Sequence, residues 1–232
     1  MRTEINTTLK NEAEIEEATD ELRKLGSKTH PDRSKNWDVL KIVRFILDRG
    51  KKTSNILEVG CISSPVLFNL RQKGFRFLYG IDIGLGGKFE NHVDRGLHGG
   101  ETPIYFFKQN LEKTDFEDNF FDFVISLSVI EHGADIQNYF KEMSRILRQG
   151  GFLLTSTDYW NKEVNTTGIY PYGKKYGEMR IFTRKDVHQM IKLAGEFGLR
   201  LTAPIDYGVR DKIVQWKLKK KEYTFIFIVL QK

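Results

Sequence analysis

The stretch Asn55-Ile56-Leu57-Glu58-Val59-Gly60-Cys61 decides the fold. Ile56, Leu57 and Val59 make a short β-forming run that stops at a glycine. Ser64-Pro65 then supplies a cap and a first-turn proline for a helix through Gln72, because proline's missing N–H has no helical partner in the first turn. A strand turning sharply into a helix is the first βα unit of an open α/β sheet, whose ligands bind outside the carboxyl ends of the strands. At that turn Gly60 can take positive φ and let a ligand approach the backbone, while Glu58 can bind an ammonium or order the loop's water.

Working outward, short β-rich runs alternate with helical patterns, the signature of stacked βαβ units. Strands are predicted over residues 55–59, 76–82, 104–108, 121–127, 151–157, 199–204 and 223–231. Asp135 caps a helix carrying Ile136, Tyr139, Phe140, Met143, Ile146 and Leu147 on one face, ended by Gly150. Thr183 with Asp186 starts another, running through Val187, Met190, Ile191, Ala194 and Phe197. Before the first strand, residues 9–25 read as an amphipathic helix with a narrow apolar stripe, Ile15, Ala18, Leu22 and Leu25. A polar break over residues 26–35 leads to Asn36-Trp37-Asp38, read as a cap and staple or as a flap over a ligand, and then to an apolar helical run over 39–47, stopped by Gly50. Two long connections, residues 83–103 and 158–182, fall where such folds carry function.

Composition narrows the class. The 232 residues are 40% hydrophobic and carry 37 Lys+Arg against 31 Asp+Glu, a net charge of +6. That suits one sizeable core with decoration, and the mild basic excess does not call for nucleic acid. The run Lys217-Leu218-Lys219-Lys220-Lys221 reads as a solvated face. One cysteine, Cys61, excludes an internal disulfide and any cysteine-clustered metal site, and fits a reducing compartment, so a cytoplasmic location is expected. No signal peptide, transit peptide or run of about 18 apolar residues is visible, so no membrane span is expected. His92 and His98, near Asp94 and Glu101, lack a tight ligand spacing, and no metal is expected.

A second motif refines the ligand. Tyr79-Gly80-Ile81-Asp82 ends the next strand on a carboxylate suited to the two hydroxyls of a ribose, as carried by NAD and by S-adenosylmethionine. Cys61-Ile62-Ser63-Ser64 after Gly60 does not make the Gly-x-Gly-x-x-Gly loop of a dinucleotide site, which favours a nucleoside without phosphates. With Gln109-Asn110-Leu111, the run from Phe121 through Ser126, Ser128 and Ile130 to Glu131-His132, and Leu147-Arg148-Gln149-Gly150-Gly151-Phe152-Leu153-Leu154, the ordered set resembles a small class I S-adenosylmethionine-dependent methyltransferase of type 11.

The resemblance covers residues 36–232, with residues 1–35 as an N-terminal helical extension. It implies a Rossmann-like, doubly wound seven-stranded sheet in the order 3-2-1-4-5-7-6, mainly parallel with an antiparallel last strand. It implies further that Glu58 and the backbone of Gly60, Cys61 and Ile62 hold the methionine part, and that Asp82, followed by Ile83, holds the ribose. Asn110 and the Leu111 N–H would read the adenine edge, and the Ser126 carbonyl would meet the methionine amine. Ile62 and Ser64 stand where the family usually has further glycines, narrowing that loop.

His132 after the fourth strand is the candidate base for an acceptor hydroxyl or amine, against a merely structural histidine. Glu131, Asp158, Tyr159 and Trp160 are candidate acceptor contacts, with Tyr170, Tyr172 and Tyr176 in the second long connection as a further wall. The expected activity is methyl transfer to an oxygen or nitrogen of a small-molecule or glycan-like acceptor, with a homodimer left open. The rivals are an RNA or protein methyltransferase and a non-catalytic binding protein of the same fold.

Overall fold

The computed structural model of the chain describes residues 5–87, 90–96, 101–216 and 220–232. His98 and residues 217–219 of the basic run therefore lie outside the described residues. The strands are β1 (Thr7–Thr8), β2 (Asn55–Val59), β3 (Phe77–Ile81), β4 (His92–Asp94), β5 (Ile104–Phe107), β6 (Phe121–Leu127), β7 (Leu147–Tyr159), β8 (Arg200–Leu201), β9 (Val214–Trp216) and β10 (Lys221–Gln231). The helices are α1 (Glu12–Lys24), α2 (Asn36–Arg49), α3 (Val66–Gln72), α4 (Ile136–Ile146) and α5 (Arg184–Glu196).

One sheet runs β1-β10-β7-β6-β2-β3-β5-β4, with β8 and β9 also paired to β10. Its centre is parallel: β2 lies between β3 and β6, β5 follows β3, and β7 follows β6. β10 inserts antiparallel beside β7, and β8 pairs antiparallel with its end. This is the expected 3-2-1-4-5-7-6 order. Alternation along the strands feeds two cores. Ile56, Phe123, Ile125 and Phe227 pack under α1, α2 and α3, whereas Leu57, Val59, Val124 and Ile228 pack under α4 and α5.

Several elements differ from expectation. The predicted sixth strand is only Arg200–Leu201; Thr202 N still donates to Val229 O at 3.2 Å, but Pro204 has no N–H to continue the ladder. The N-terminal segment occupies the edge instead. Thr7 and Thr8 pair with Phe227 and Ile226, and the Asn6 side chain accepts from Val229 N (2.7 Å) and donates to Ala203 O (2.6 Å). Leu147, expected on the helix, begins β7: it pairs with Phe121, and a register shift between Phe121 and Phe123 absorbs the Arg148–Gly151 turn. Gly150 thus sits inside a kinked strand, at φ +78°, rather than ending α4. β4 adds an antiparallel edge beyond β5, with the His92 ring stacked on Phe106 at 4.8 Å.

Residues 5–35 share this core. Ile15, Ala18 and Leu22 of α1 are buried with Ile42, Val43 and Ile46 of α2. The Trp37 indole N–H donates to Glu14 Oε2 at 3.0 Å, and the Asn36 amide donates to Thr19 Oγ1 at 3.1 Å. Asp135 caps α4 and a Thr183–Asp186 capping box starts α5, as expected, and Asn11 caps α1; α3 instead begins at Val66 with Pro65 at the cap position, while Ser64 Oγ accepts from Val66 N at 3.2 Å.

Candidate functional site

The chain leaves β2 for β3 on one side while β6 lies on the other, which makes the carboxyl end of β2 the switch point of the sheet. A cavity of about 1080 Å³ opens there. One half is built from the loops after β2, β3 and β5, the other from the turn after β6, the end of β7, residues 172–177 and His30 with Lys35.

In the first half Gly60 is at φ +69°, and a Cβ there would lie 2.3 Å from Val129 Cγ2, so the position admits only glycine. Gly60 N and Cys61 N both donate to Ile81 O, at 2.8 and 3.2 Å. Those two N–H groups, expected on the methionine part, are spent tying β2 to β3, and the Cys61 side chain is buried in the core. Burial pushes the Cys61 thiol up, so it stays protonated.

Ile62 lines the cavity with its side chain about half exposed (49%), and Ile83, at 39%, gives a second apolar rim. The Ser64 hydroxyl is turned inward and donates to Glu58 Oε1, so the serine does not fill the cradle. Glu58 itself stands behind the cavity wall, 1% exposed; its Oε2 has no partner, and burial raises its carboxyl to about 8. Asp82 bridges the two loops: Oδ1 accepts from Gly84 N at 2.7 Å and Oδ2 from Ile62 N at 3.4 Å.

Asn110 and Leu111 line the cavity beyond Asp82. Asn110 Oδ1 accepts from Glu112 N at 3.0 Å, which fixes the turn and leaves the amide N–H groups for a ligand. Ser126 is fully buried inside β6, paired to Val59 and Thr155, and Leu127 and Ser128 take the cavity position expected of it. Ser126 lies one residue short of the strand's end at Leu127, and Ser128 makes the turn at φ +52°.

These residues suit S-adenosylmethionine. An unpartnered buried carboxyl oxygen lies behind the glycine turn, a carboxylate stands just past β3 for a ribose, and Ile62, Ile83 and Leu111 give the cavity apolar lining.

In the second half, Glu131 and His132 lie on the 3₁₀ turn Ile130–His132. Gly133 follows at φ +92°, and a Cβ there would lie 2.1 Å from Tyr176 O, so this turn and the 172–177 segment touch backbone to backbone. Arg180 N donates to Glu131 O at 2.7 Å and holds the end of that segment. The His132 ring lies edge-on to Tyr172, centroids 5.0 Å apart, and its Nδ1 is buried without a partner. Desolvation, helped by Lys35 and opposed by Glu131, pushes His132 below 6.5, so the ring is neutral at pH 7.

Glu131 Oε2 accepts from Thr157 Oγ1 at 2.8 Å, while Oε1 has no partner. Asp158, at the end of β7, is held well above the usual carboxylate range by burial and then by Glu131, and it shares a hydrogen bond with the Tyr223 hydroxyl of β10.

Tyr159 and Trp160 do not join them. Strand alternation sends Tyr159 to the opposite core, where it is fully buried and its hydroxyl donates to Asn161 Oδ1 at 2.8 Å. Trp160 packs against the first core under Lys212, whose ammonium is 5.3 Å from a ring centroid. The residue that sequence reasoning missed is Lys35. Its ammonium donates to Ser128 Oγ and lies 3.7 Å from the centre of the Phe225 ring. One turn on, Asp38 Oδ1 accepts from Ser156 Oγ at 2.6 Å; burial raises this carboxyl to about 7, and Oδ2 has no partner. Only the buried polar character of Asn36-Trp37-Asp38 hinted at this. Among the described residues no group of three or more His, Cys, Asp or Glu could hold a metal ion, and no helix is long and apolar enough to cross a membrane.

Comparison with known proteins agrees with this geometry. Residues 57–155 match the family model described as a methyltransferase domain. A tRNA U34 carboxymethyltransferase of Marinobacter nauticus is 28% identical over 121 residues, 52% of this chain, and the chain spans only 35% of that relative's length. Among solved structures, an S-adenosylmethionine-dependent methyltransferase of Methanosarcina mazei matches with a TM-score of 0.56 at 18% identity, over 81% of this chain and 96% of that one. Geranyl diphosphate C-methyltransferase of Streptomyces coelicolor, solved with S-adenosylhomocysteine, matches at 0.59 and 15% identity, over 89% and 84%. The structural likenesses establish the fold, and the family match over residues 57–155, which include the end of the first parallel strand, the glycine turn and most of β7, carries the likeness to a methyltransferase domain.

Proposed function

We propose that this protein transfers the methyl group of S-adenosylmethionine to an oxygen or nitrogen of a small-molecule or glycan-like acceptor. The observation that carries the proposal is the continuity of one cavity from Asp82 and Asn110 to Glu131, His132 and Asp158, which brings a nucleoside half and a polar, partly buried acceptor half together. The cofactor, when bound, supplies a methyl group on a sulfonium, open to in-line displacement. Asp82, Ile83, Asn110 and Leu111 would hold its adenosine part, and the buried Glu58 would act from behind Ser64 on its ammonium end.

On the acceptor side, the neutral His132 ring takes the proton that the acceptor loses. Tyr172 and Tyr176 shield that exchange from water, and the fixed geometry supplies much of the rate by orientation.

A second reading, an RNA acceptor, takes support from the tRNA-acting relative and from Arg184, Lys185 and Lys192 on one flank of α5. It predicts a steep fall in RNA affinity with salt. The deciding experiment is calorimetric titration with S-adenosylmethionine and S-adenosylhomocysteine, with NAD as control. Micromolar binding of the first two is expected; a folded protein that binds neither overturns the proposal in favour of a non-catalytic binding role.

A further inference from the structure

The floor of the acceptor half is a nest of carboxyls. Asp38 from α2, Glu131 from the turn after β6 and Asp158 from β7 are 0%, 1% and 2% exposed and lie close enough for each to feel the others' charge. Hydroxyl donors reach all three: Ser156 bonds Asp38, Thr157 bonds Glu131 and Tyr223 bonds Asp158. That leaves Glu131 Oε1, on a residue lining the cavity, and Asp38 Oδ2 buried without partners. A buried acceptor without a donor costs on the order of 1–3 kcal/mol, more when charged, so the vacant lone pairs favour a ligand that brings hydrogen-bond donors.

Charge says which donors. Lys35 and Lys41 act on the nest and Lys174 and Lys175 line the same cavity, yet none of them donates to Glu131 Oε1. Lys35 also demonstrates the chemistry in the molecule itself: an alkylammonium is accommodated here, bonded to the Ser128 hydroxyl and set against the face of Phe225. Tyr172 and Tyr176 line the same pocket, and the Lys175 ammonium stands 4.5 Å from the Tyr176 ring centre.

We infer that the acceptor is an amine, bound with its nitrogen at Glu131 and Asp158 and His132 beside it, an inference that rests on the methyl-transfer function proposed above. Binding as the ammonium gives Glu131 Oε1 the charged donor it lacks. The ammonium then gives one proton to the neutral His132 ring. The nitrogen lone pair forms the new N–C bond to the methyl carbon as the S–C bond breaks, its electron pair staying on sulfur, which passes from sulfonium to thioether. Positive charge moves from sulfur to the methylated nitrogen, and the carboxyl nest stabilises it there. A hydroxyl acceptor would end uncharged after losing its proton and would draw no such benefit.

The test uses matched probes rather than an unknown substrate. The full chain is saturated with S-adenosylhomocysteine, and ligand-observed NMR compares benzylamine with benzyl alcohol and glucosamine with glucose. The amine of each pair is expected to bind at least tenfold more tightly. Glu131→Gln and Asp158→Asn should each remove most of that preference, with S-adenosylhomocysteine affinity unchanged. Equal binding within both pairs by the parent protein, or an amine preference that survives both substitutions, overturns the inference while leaving the methyl-transfer function standing. Failure to bind S-adenosylhomocysteine at all would instead overturn the function on which the inference rests.

Discussion

Asp82 shows how a single side chain can serve fold and ligand together. Its two oxygens receive the N–H groups of Gly84 and Ile62, so the loops after β3 and β2 are set at a fixed spacing around one carboxylate. With its lone pairs only partly used, the same group can accept from a ribose. Asp82→Ala should therefore weaken S-adenosylmethionine binding by about 1.5–3 kcal/mol, the scale of hydrogen bonds to a charged group. Calorimetry checks this, and unchanged affinity would remove the ribose assignment.

His132 belongs to the same scale. Its pKa lies below 6.5 because the ring is desolvated, so the neutral, proton-accepting form prevails at and above neutral pH. The sign follows: protonation of this ring should cut turnover on the acid side, below the pH of an ordinary histidine. His132→Ala should lower turnover and abolish that acid limb while sparing cofactor affinity. A pH–rate profile identical to the parent's would exclude the ring as the base. What was legible at this scale was the motif chemistry. Glu58, Asp82, Glu131, His132 and Asp158 could be picked out as polar groups at strand ends. Which backbone N–H groups stay open to a ligand, as the Ile81 carbonyl shows, depends on three-dimensional pairing.

Among the elements, the central strands were readable because they are buried on both faces and so appear as continuous apolar runs; β2 and β6 have the predicted bounds. The edges were not. β1 and β8 are two residues each and β4 and β9 three, held by pairing to a long neighbour rather than by their own propensity. Leu147 sits on an apolar stripe that serves a helix or a strand equally well, and pairing with Phe121 settled it.

The segment over residues 172–177 is the element on which the acceptor half depends. It is held against the Ile130–His132 turn by a contact that only a glycine permits, because a Cβ on Gly133 would meet Tyr176 O at 2.1 Å. Gly133→Ala should force the two backbones apart and move Tyr172 off His132. Left-handed backbone at a non-glycine costs on the order of 1–3 kcal/mol. Turnover should fall while S-adenosylhomocysteine affinity stays near the parent value, because that half of the cavity does not touch Gly133. Equal loss of both, measured by kinetics and calorimetry on one preparation, would show that the two halves are not separable.

At the scale of the whole molecule, residues 5–35 pack into the same core as the sheet. They supply an edge strand to β10, a helix that covers α2, and Lys35 at the cavity. The family match begins only at residue 57, so this part of the site comes from a region outside it. If α1 were merely laid on a finished core, a cavity within it would cost little. Leu22, however, is fully buried in the same apolar cluster as Ile42, Ile46 and Leu70, and the neighbouring Arg44–Glu21 pair ties the two helices at the surface. Leu22→Ala removes three side-chain carbons from a site with little room to collapse, for an expected loss of about 2–5 kcal/mol in unfolding free energy. Because α2 carries Asp38 and follows directly on Lys35, the same change should destabilise both halves of the cavity together. In a urea titration followed by tryptophan fluorescence, with Trp160 and Trp216 replaced by Phe, Trp37 reports the pairing of α1 with α2, and protection by S-adenosylhomocysteine reports the nucleoside half. A single coincident transition, shifted down by the predicted amount, means that residues 5–35 fold as part of the core. An unshifted transition would mean that α1 is a detachable cover, and that the cavity is complete without it.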